Sequence, residues 1–183
     1  MLVAFVAGCA SQTDDLRPDS DLVLISVVGT NDVHGQFSPS PGRGGLKTFS
    51  GYVQAQRDAR AADGGVLLVD GGDMWQGSME SNLNEGQLMV EAYNALGYAA
   101  AAIGNHEFDF GPVGPATVPA SPADDPRGNL KQRASEMRFP FLAANLVDTT
   151  TGELVDWPNV KPSTVVDVAG VRIGIVGILT RDT

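Results

Sequence analysis

The sequence predicts a layered α/β fold, and three observations carry this prediction. Short apolar segments at 22–28, 66–69 and 99–103 have the length and composition of buried strands. The stretches between them repeat their apolar residues at helical spacing. Each segment is followed directly by a polar turn that contains glycine. Strands that alternate with helices in this way form a sheet covered by helices.

The first strand is predicted over 22–28, where β-branched residues are frequent. A loop rich in glycine, proline and serine follows it. Leu46, Phe49 and Val53 then recur at the spacing of one helical face. These positions predict an amphipathic helix over 46–62, which a pair of glycines ends.

The second strand is predicted over 66–69, and a helix over 85–96 follows it. Gly97 is the expected end of that helix, because glycine readily adopts the left-handed conformation found after many helices. The third strand, over 99–103, is weak by propensity because it is rich in alanine.

The second half of the chain predicts a loop, a helix and further strands. Five prolines exclude regular structure from most of 111–128. A short helix over 129–137 and a fourth strand over 139–145 follow. An alanine–glycine turn between the apolar segments 164–168 and 171–178 predicts a β-hairpin.

The composition is that of a globular, acidic protein. The chain has 183 residues, enough for one domain with its own core, and 43% of them are hydrophobic. Its formal net charge is -10 and its pI is about 4.4. A chain this acidic repels nucleic acid polymers and anionic membrane surfaces. A small phosphate ester is not excluded as a ligand, because bound metal ions can reverse the charge locally.

The N-terminus predicts export. Cys9 is the one cysteine in the sequence, so no intrachain disulfide can form. The apolar run over 1–10 is too short to span a bilayer and resembles the end of a signal peptide. Residues 6–9 (Val-Ala-Gly-Cys) resemble a bacterial lipobox, in which the cysteine is lipidated and the polar stretch 11–21 becomes a tether. We therefore expect a lipoprotein of the periplasm or cell surface; the alternative is an apolar terminus with a buried cysteine.

Metal-ligating side chains follow the three predicted strands. Asp32 and His34 lie two residues apart, so both side chains point the same way along an extended chain. Asp73 follows the second strand and has two oxygens with which to bridge two ions. Asn105 follows the third strand and offers an amide oxygen. Because strands of an α/β sheet place their functional ends at one edge, we predict a site for divalent metals there.

Two more polar residues extend this set. Two divalent ions carry four positive charges against the two negative charges of Asp32 and Asp73, which leaves charge to bind a phosphate dianion and a hydroxide. His106 would stabilise phosphoryl oxygens or protonate a leaving group. Asp109 would hold the imidazole in one tautomer. Taken singly, each residue is an ordinary turn or capping residue, and only their coincidence indicates metal-assisted hydrolysis.

Together these runs resemble the 5′-nucleotidase family, which belongs to the calcineurin-like dinuclear metallophosphoesterases. The resemblance covers 22–183 and rests on motifs at or after predicted strands. The motifs are Thr-Asn-Asp-Val-His-Gly at 30–35, Gly-Asp at 72–73, Gln-Gly-Ser at 76–78, Gly-Asn-His-Glu-Phe-Asp at 104–109, Ala-Asn-Leu at 144–146 and Gly-Ile-Val-Gly-Ile-Leu-Thr at 174–180.

The resemblance implies a four-layer α/β/β/α sandwich, here incomplete. It implies hydrolysis of nucleoside phosphates to nucleoside and phosphate by a metal-activated hydroxide, with two divalent ions chosen from Mn, Zn, Mg and Fe. The implied partner is a small phosphorylated nucleotide. The implied metal ligands are Asp32, His34, Asp73 and Asn105, and the implied catalytic dyad is His106 and Asp109.

The sequence departs from the family in its histidines. The family completes its metal shell with one isolated histidine and a Gly-His-x-His pair, whereas this sequence contains His34 and His106 alone. The resemblance therefore places 22–183 in the N-terminal portion of the metallophosphoesterase domain, after a leader and tether over 1–21 and without the C-terminal nucleotide-binding domain. We expect the isolated chain to be weakly active or inactive.

Other functions of the same fold stay open at this stage. They are hydrolysis of UDP-sugars, of 2′,3′-cyclic nucleotides, or of the sulfur–sulfur bond of carrier-bound thiosulfate. The alternative to an enzyme is an inactive, truncated protein that is anchored at the surface. The sequence also leaves the oligomeric state and the identity of the metals open.

Overall fold

A computed structural model describes residues 22–180 of the chain. Cys9 and the predicted leader lie outside these residues. The main sheet has five strands, all parallel, in the order in which they occur along the chain. They are β1 (Leu24–Thr30), β2 (Gly64–Asp70), β3 (Ala100–Ala102), β4 (Phe141–Leu142) and β5 (Val160–Lys161). The carboxyl ends of β1, β2 and β3 therefore lie side by side at one edge, as the sequence predicts.

Helices form the crossovers from β1 to β4, and a loop without a helix connects β4 to β5. The helices are α1 (Gly45–Arg60), α2 (Met79–Asn82), α3 (Gln87–Leu96), α4 (Gly128–Glu136) and a 3₁₀ helix (His106–Phe108). α1 packs against β1, β2 and α3, and α3 also contacts α4, so these three helices form one layer. Within the described part of the chain, no helix is both long and apolar enough to cross a membrane.

A β-hairpin lies against β2. It consists of β6 (Ser163–Val168) and β7 (Val171–Val176), which pair antiparallel as a separate two-stranded sheet. A Cβ atom added at Gly65 of β2 would lie 2.6 Å from Val168 Cγ1, so glycine permits this close approach. The hairpin is the beginning of a second sheet layer, which matches the incomplete sandwich expected from the sequence.

The core fills the space between the helical layer and the sheet. Consecutive residues of the central strands are buried, for example Leu67 and Leu68, so both faces of these strands are covered, whereas buried helix residues occur at the spacing of one face. The largest fully buried side chains are Trp75, Tyr93, Phe141, Leu68, Met74, Met89, Ile103, Leu130, Leu142, Glu107, Val53 and Val90. Glu107 is the exception in this apolar set, and its role is described below.

The predicted elements are present, with boundaries that differ by a few residues. α1 ends at Arg60, two residues before its predicted end. Gly97 adopts the left-handed conformation at the end of α3, as predicted. The fourth strand was predicted too long: only Phe141–Leu142 is regular. Beyond it the N–H of Ala144 donates to the carbonyl of Gly177 (2.7 Å), so the chain leaves β5 to pair with the segment after β7.

Candidate metal centre

The loop after β1 is hydrogen-bonded along its length to the loop after β2. The N–H of Asp32 donates to the carbonyl of Gly72 (3.0 Å), and the N–H of His34 donates to the carbonyl of Asp73 (3.0 Å). Both contacts join backbone groups, so they fix the course of the two loops independently of side-chain identity. The side chains of these loops therefore project from a defined frame.

Three of the site residues have left-handed backbone conformations. The φ angles are 52° for Asp32, 49° for His34 and 59° for Asp73. The extended chain predicted for Asp32 and His34 is therefore wrong, because β1 ends at Thr30 and both residues lie in the loop after it. A residue with a Cβ atom pays about 1–2 kcal/mol for the left-handed conformation. Such strain concentrates at functional sites, where the surrounding structure maintains it.

His34, Asp73 and His106 form a cluster of potential metal ligands. Each offers one ligand atom, and these atoms all lie within 4.8 Å of one another. The two imidazole rings meet edge to face, with 5.0 Å between their centroids. Two imidazoles and a carboxylate suit divalent transition metals such as Zn, Fe and Mn.

The His34 ring is oriented by a backbone carbonyl. Its Nδ1 lies 2.9 Å from the carbonyl oxygen of Gln76. Because a carbonyl oxygen only accepts, Nδ1 carries the proton, and the neutral ring has its lone pair on Nε2. Histidines that bind metals commonly have a partner of this kind on the second nitrogen. The Asp32 carboxylate lies 3.9 Å from Nε2.

The His106 ring is oriented by a carboxylate. Its Nδ1 lies 2.7 Å from Oδ2 of Asp109, and this hydrogen bond raises the pKa of His106 above its usual value. The backbone N–H of His106 donates to Oδ1 of Asp73 (3.0 Å). His106 is thus held from both its ring and its backbone, with Nε2 as the ring nitrogen left available.

The two other predicted ligands lie beside the cluster. Asp32 is exposed and accepts a hydrogen bond from the Asn31 side chain. Asn105 is also exposed, directly before the 3₁₀ helix, and its carbonyl accepts from the N–H of Phe108 (3.3 Å). The structure thus brings His34, Asp73 and His106 together and leaves Asp32 and Asn105 more open.

Glu107 is a buried acidic residue to which the sequence patterns assigned no role. Its side chain is 1% exposed, and its carboxylate accepts from the backbone N–H groups of Asp73, Met74 and Gly104. Burial raises the pKa of Glu107 to about 7. The sequence offered one signal that Glu107 has a role: it lies within the motif 104–109, between residues that were assigned to the site.

Asp70, at the end of β2, is a second buried carboxylate without a role predicted from sequence. It accepts from Thr30 Oγ1 (2.5 Å), Tyr93 OH (2.9 Å) and the N–H of Gly72 (2.7 Å). Thr30 Oγ1 is itself 2.7 Å from Tyr98 OH. Burial raises the pKa of Asp70 to about 6, and Asp32 raises it slightly further. This network joins the ends of β1 and β2 to α3.

The Asp70 network predicts a pH dependence of stability. The folded-state pKa of about 6 lies above the ordinary value of 3.8, so folding favours the protonated form. The stabilisation is complete below about pH 4 and is lost as the pH rises through about 6, a change of about 3 kcal/mol in the free energy of unfolding. Asp70→Asn removes the titration and preserves the shape, because its amide can donate to Thr30 or Tyr93.

Urea unfolding between pH 4 and pH 7 checks this prediction. The stability of the wild type should fall relative to that of Asp70→Asn as the pH rises. Parallel curves for the two proteins would contradict it.

A cavity of about 400 Å³ opens beside the loop after β1. Asp32 and His34 line one side of it, and Arg43 and Phe49 line another. The cavity thus combines potential metal ligands with a cation and an aromatic ring. Small-ligand sites typically have this mixture of apolar walls and few polar groups.

Comparisons with known proteins identify relatives of this chain. No protein-family model matches the sequence. The chain is 32% identical, over its whole length, to a 5′-nucleotidase of Vibrio parahaemolyticus. A 5′-nucleotidase precursor from Thermus thermophilus superposes on 86% of the chain with a TM-score of 0.66 and 31% identity. The calcineurin-like phosphoesterase YfkN from Bacillus subtilis superposes on 85% of the chain with a TM-score of 0.61 and 22% identity, which shows the shared fold.

These proteins are longer than this chain. The chain spans 30% of the Vibrio protein, 29% of the Thermus chain and 48% of YfkN. The similarity therefore concerns the region that contains the clustered site. By sequence the chain is related to these 5′-nucleotidases and corresponds to the N-terminal part of the larger proteins, and it shares the fold of the calcineurin-like phosphoesterase YfkN.

Proposed function

We propose that this chain supplies part of a dinuclear metal centre that hydrolyses nucleoside phosphates to nucleoside and phosphate. The observation that carries the proposal is the cluster of His34, Asp73 and His106, in which hydrogen bonds already orient both rings. The relationship to 5′-nucleotidases supports nucleotides as the substrate class. The metallophosphoesterase fold implies divalent metals, and the donor set fits them.

The proposed ligands lie on the three loops at the sheet edge. Asp32 and His34 would bind from the loop after β1, Asp73 would bridge two ions from the loop after β2, and Asn105 would bind from the loop after β3. The two ions would lower the pKa of bound water from about 15.7 towards about 7 and so supply hydroxide at neutral pH. The carboxylates of Asp32 and Asp73 would bind the positively charged ions.

His106 and Asp109 would act on the phosphate and the leaving group. In the proposed reaction, Nε2 of His106 donates a hydrogen bond or a proton at the scissile phosphate ester. Asp109 holds Nδ1 at 2.7 Å, so Nε2 is the ring nitrogen that stays available to the substrate.

Replacing Asp109 with asparagine is expected to lower phosphate release from AMP by about 10–100-fold, the usual effect of losing an orienting partner. Metal content should stay at the wild-type level, because Asp109 bonds the His106 ring and none of the proposed metal ligands. Since turnover by the isolated chain is expected to be weak, radiolabelled AMP is the suitable substrate. Equal turnover by Asp109→Asn and the wild type would show that the pairing has no catalytic role.

The substrate is tested by direct comparison. AMP, UDP-glucose and 2′,3′-cyclic AMP are offered to the same metal-loaded chain, and phosphate or nucleotide products are quantified. Preference for AMP supports a 5′-nucleotidase. Preference for either other compound would move the proposal to another hydrolase of this fold. Turnover equal to that of an intact family member would refute the expectation that this chain alone is weak.

A non-catalytic role is the second candidate, and the exposed positions of Asp32 and Asn105 outside the cluster favour it. A protein that retains the clustered side chains by descent would have this arrangement. Metal uptake separates the two candidates, because a decayed site has no reason to retain affinity for divalent ions.

We further propose that the chain is exported and lipidated at Cys9. Support comes from the sequence over 1–21, with its apolar run and the Val-Ala-Gly-Cys motif. Expression in a bacterial host with radiolabelled palmitate tests this proposal. Label on the wild type but not on Cys9→Ser supports it, and label on neither protein would contradict it.

A further inference from the structure

Glu107 is a fully buried carboxylate that the proposed reaction does not use. Its side chain is 1% exposed. Oε2 accepts from the N–H groups of Asp73 (2.8 Å) and Gly104 (2.7 Å), and Oε1 accepts from the N–H of Met74 (2.8 Å). Removal of a charge from water is costly unless hydrogen bonds compensate it, and three backbone donors provide that compensation here.

These hydrogen bonds join two loops of the candidate centre. Asp73 and Met74 lie on the loop after β2, whereas Gly104 and Glu107 lie on the loop after β3. The link is reciprocal: the Asp73 N–H donates to Glu107, and the Asp73 carboxylate accepts from the His106 N–H (3.0 Å). The loop after β3 thus holds the backbone of Asp73 through Glu107, and the loop after β2 holds the backbone of His106 through the Asp73 carboxylate.

The third loop depends on the same peptide groups. The carbonyl of Asp73 accepts from the N–H of His34 (3.0 Å), and the carbonyl of Met74 accepts from the N–H of Gly35 (2.9 Å). A shift of Asp73 and Met74 would therefore move His34 as well. The positive φ of Asp73 costs conformational free energy, which the hydrogen bonds to its backbone compensate.

We propose that Glu107 is a positioning residue that fixes the proposed ligands His34 and Asp73 and the proposed proton donor His106 relative to one another before any metal binds. This inference rests on the proposed metal centre and deepens it. Glu107 touches neither metal nor substrate in this scheme. It acts through the backbone of the residues that do.

Glu107→Gln is the informative substitution. Glutamine has the same shape, but it replaces one accepting oxygen with an NH₂ group that would face a backbone N–H. Glu153→Gln removes an exposed carboxylate and controls for net charge. Val90→Ala, at a buried position in α3, lowers stability by creating a cavity and controls for a general loss of folding.

Titration of the four metal-free proteins with Co²⁺, followed by visible absorption, reports both affinity and coordination geometry. Glu107→Gln should bind Co²⁺ about 10–100-fold more weakly than the wild type and give an altered spectrum. Glu153→Gln and Val90→Ala should both keep the wild-type spectrum. Wild-type affinity and spectrum in a folded Glu107→Gln protein would overturn the proposal.

Amide hydrogen exchange in the metal-free wild type gives a second test that needs no variant. The N–H groups of Asp73, Met74 and Gly104 should exchange slowly, and exchange at the rate of an exposed loop would overturn the proposal. This exchange measurement tests the role of Glu107 even if the Glu107→Gln protein does not fold. A wild type that takes up no Co²⁺ would refute the metal centre, while the exchange result would still decide the role of Glu107.

Discussion

Replacing Asp73 with asparagine is expected to abolish metal uptake by this chain. Asp73 is the one carboxylate in the cluster with His34 and His106, and it is the proposed bridge between two ions. Asparagine keeps an oxygen that can still accept from the His106 N–H, so the loops should stay in place. The loss of one negative charge and one ligand oxygen should weaken divalent binding by more than about 100-fold, beyond the usual effect of an outer partner.

Metal content after dialysis, measured by mass spectrometry of the elements, checks this prediction. Asp58→Asn is the matched control, because it makes the same change of charge on the exposed side of α1. The control should retain the wild-type metal content. Undiminished metal in Asp73→Asn would place the ions elsewhere and remove the basis of the proposed function.

Gly104→Ala should both destabilise the fold and disrupt the centre. A Cβ atom at this position would overlap the Asp73 carboxylate and would lie 2.6 Å from the Asp73 backbone nitrogen. A side chain can rotate away from such a contact, but a backbone nitrogen held by Glu107 cannot. Overpacking of this kind costs about 1–3 kcal/mol of the free energy of unfolding. The loops after β2 and β3 should separate, and metal affinity should fall with stability.

Gly29→Ala is the matched control for this substitution. Gly29 lies in β1, and a Cβ atom added there would have no neighbour within 4 Å. Urea unfolding of the two variants compares the same chemical change with and without the contact. If Gly104→Ala were as stable as Gly29→Ala, the close packing of the two loops would be wrong.

The order of strands and helices could be predicted because most elements have a periodic signal. α1 repeats its apolar residues along one face, and β2 combines β-branched and leucine residues between glycines. The three elements that were missed, α2, the 3₁₀ helix and β5, contain four, three and two residues. Elements this short show no periodicity, and only their tertiary contacts define them.

The sequence predicted that the side chains of the candidate site lie at one edge of the sheet, but it did not predict the backbone contacts that hold them, and their roles as ligands stay predictions. Asp32, His34 and Asp73 follow strands whose ends share an edge, so their proximity follows from topology. The backbone carbonyl of Gln76 orients His34. Because every residue has a backbone carbonyl, the sequence does not indicate which of them will orient a histidine. Glu107 likewise acts on backbone N–H groups, which no residue pattern identifies.

The physical cost of the centre indicates that it is maintained for a purpose. Asp32, His34 and Asp73 have left-handed backbones, and Asp70 and Glu107 are buried acids with raised pKa values. Each of these features opposes folding unless the surrounding contacts compensate. Their concentration at one edge of the sheet is typical of a functional site.

The most direct test of the metal centre is nitrogen NMR of the histidine rings during titration of the metal-free chain with Zn²⁺. We predict that Nε2 of His34 shifts on metal binding while Nδ1 keeps its proton, because the Gln76 carbonyl holds that proton at 2.9 Å. Saturation at a defined ratio of metal to protein would support binding at this site. Unchanged His34 nitrogen signals at excess Zn²⁺ would contradict the proposed metal centre.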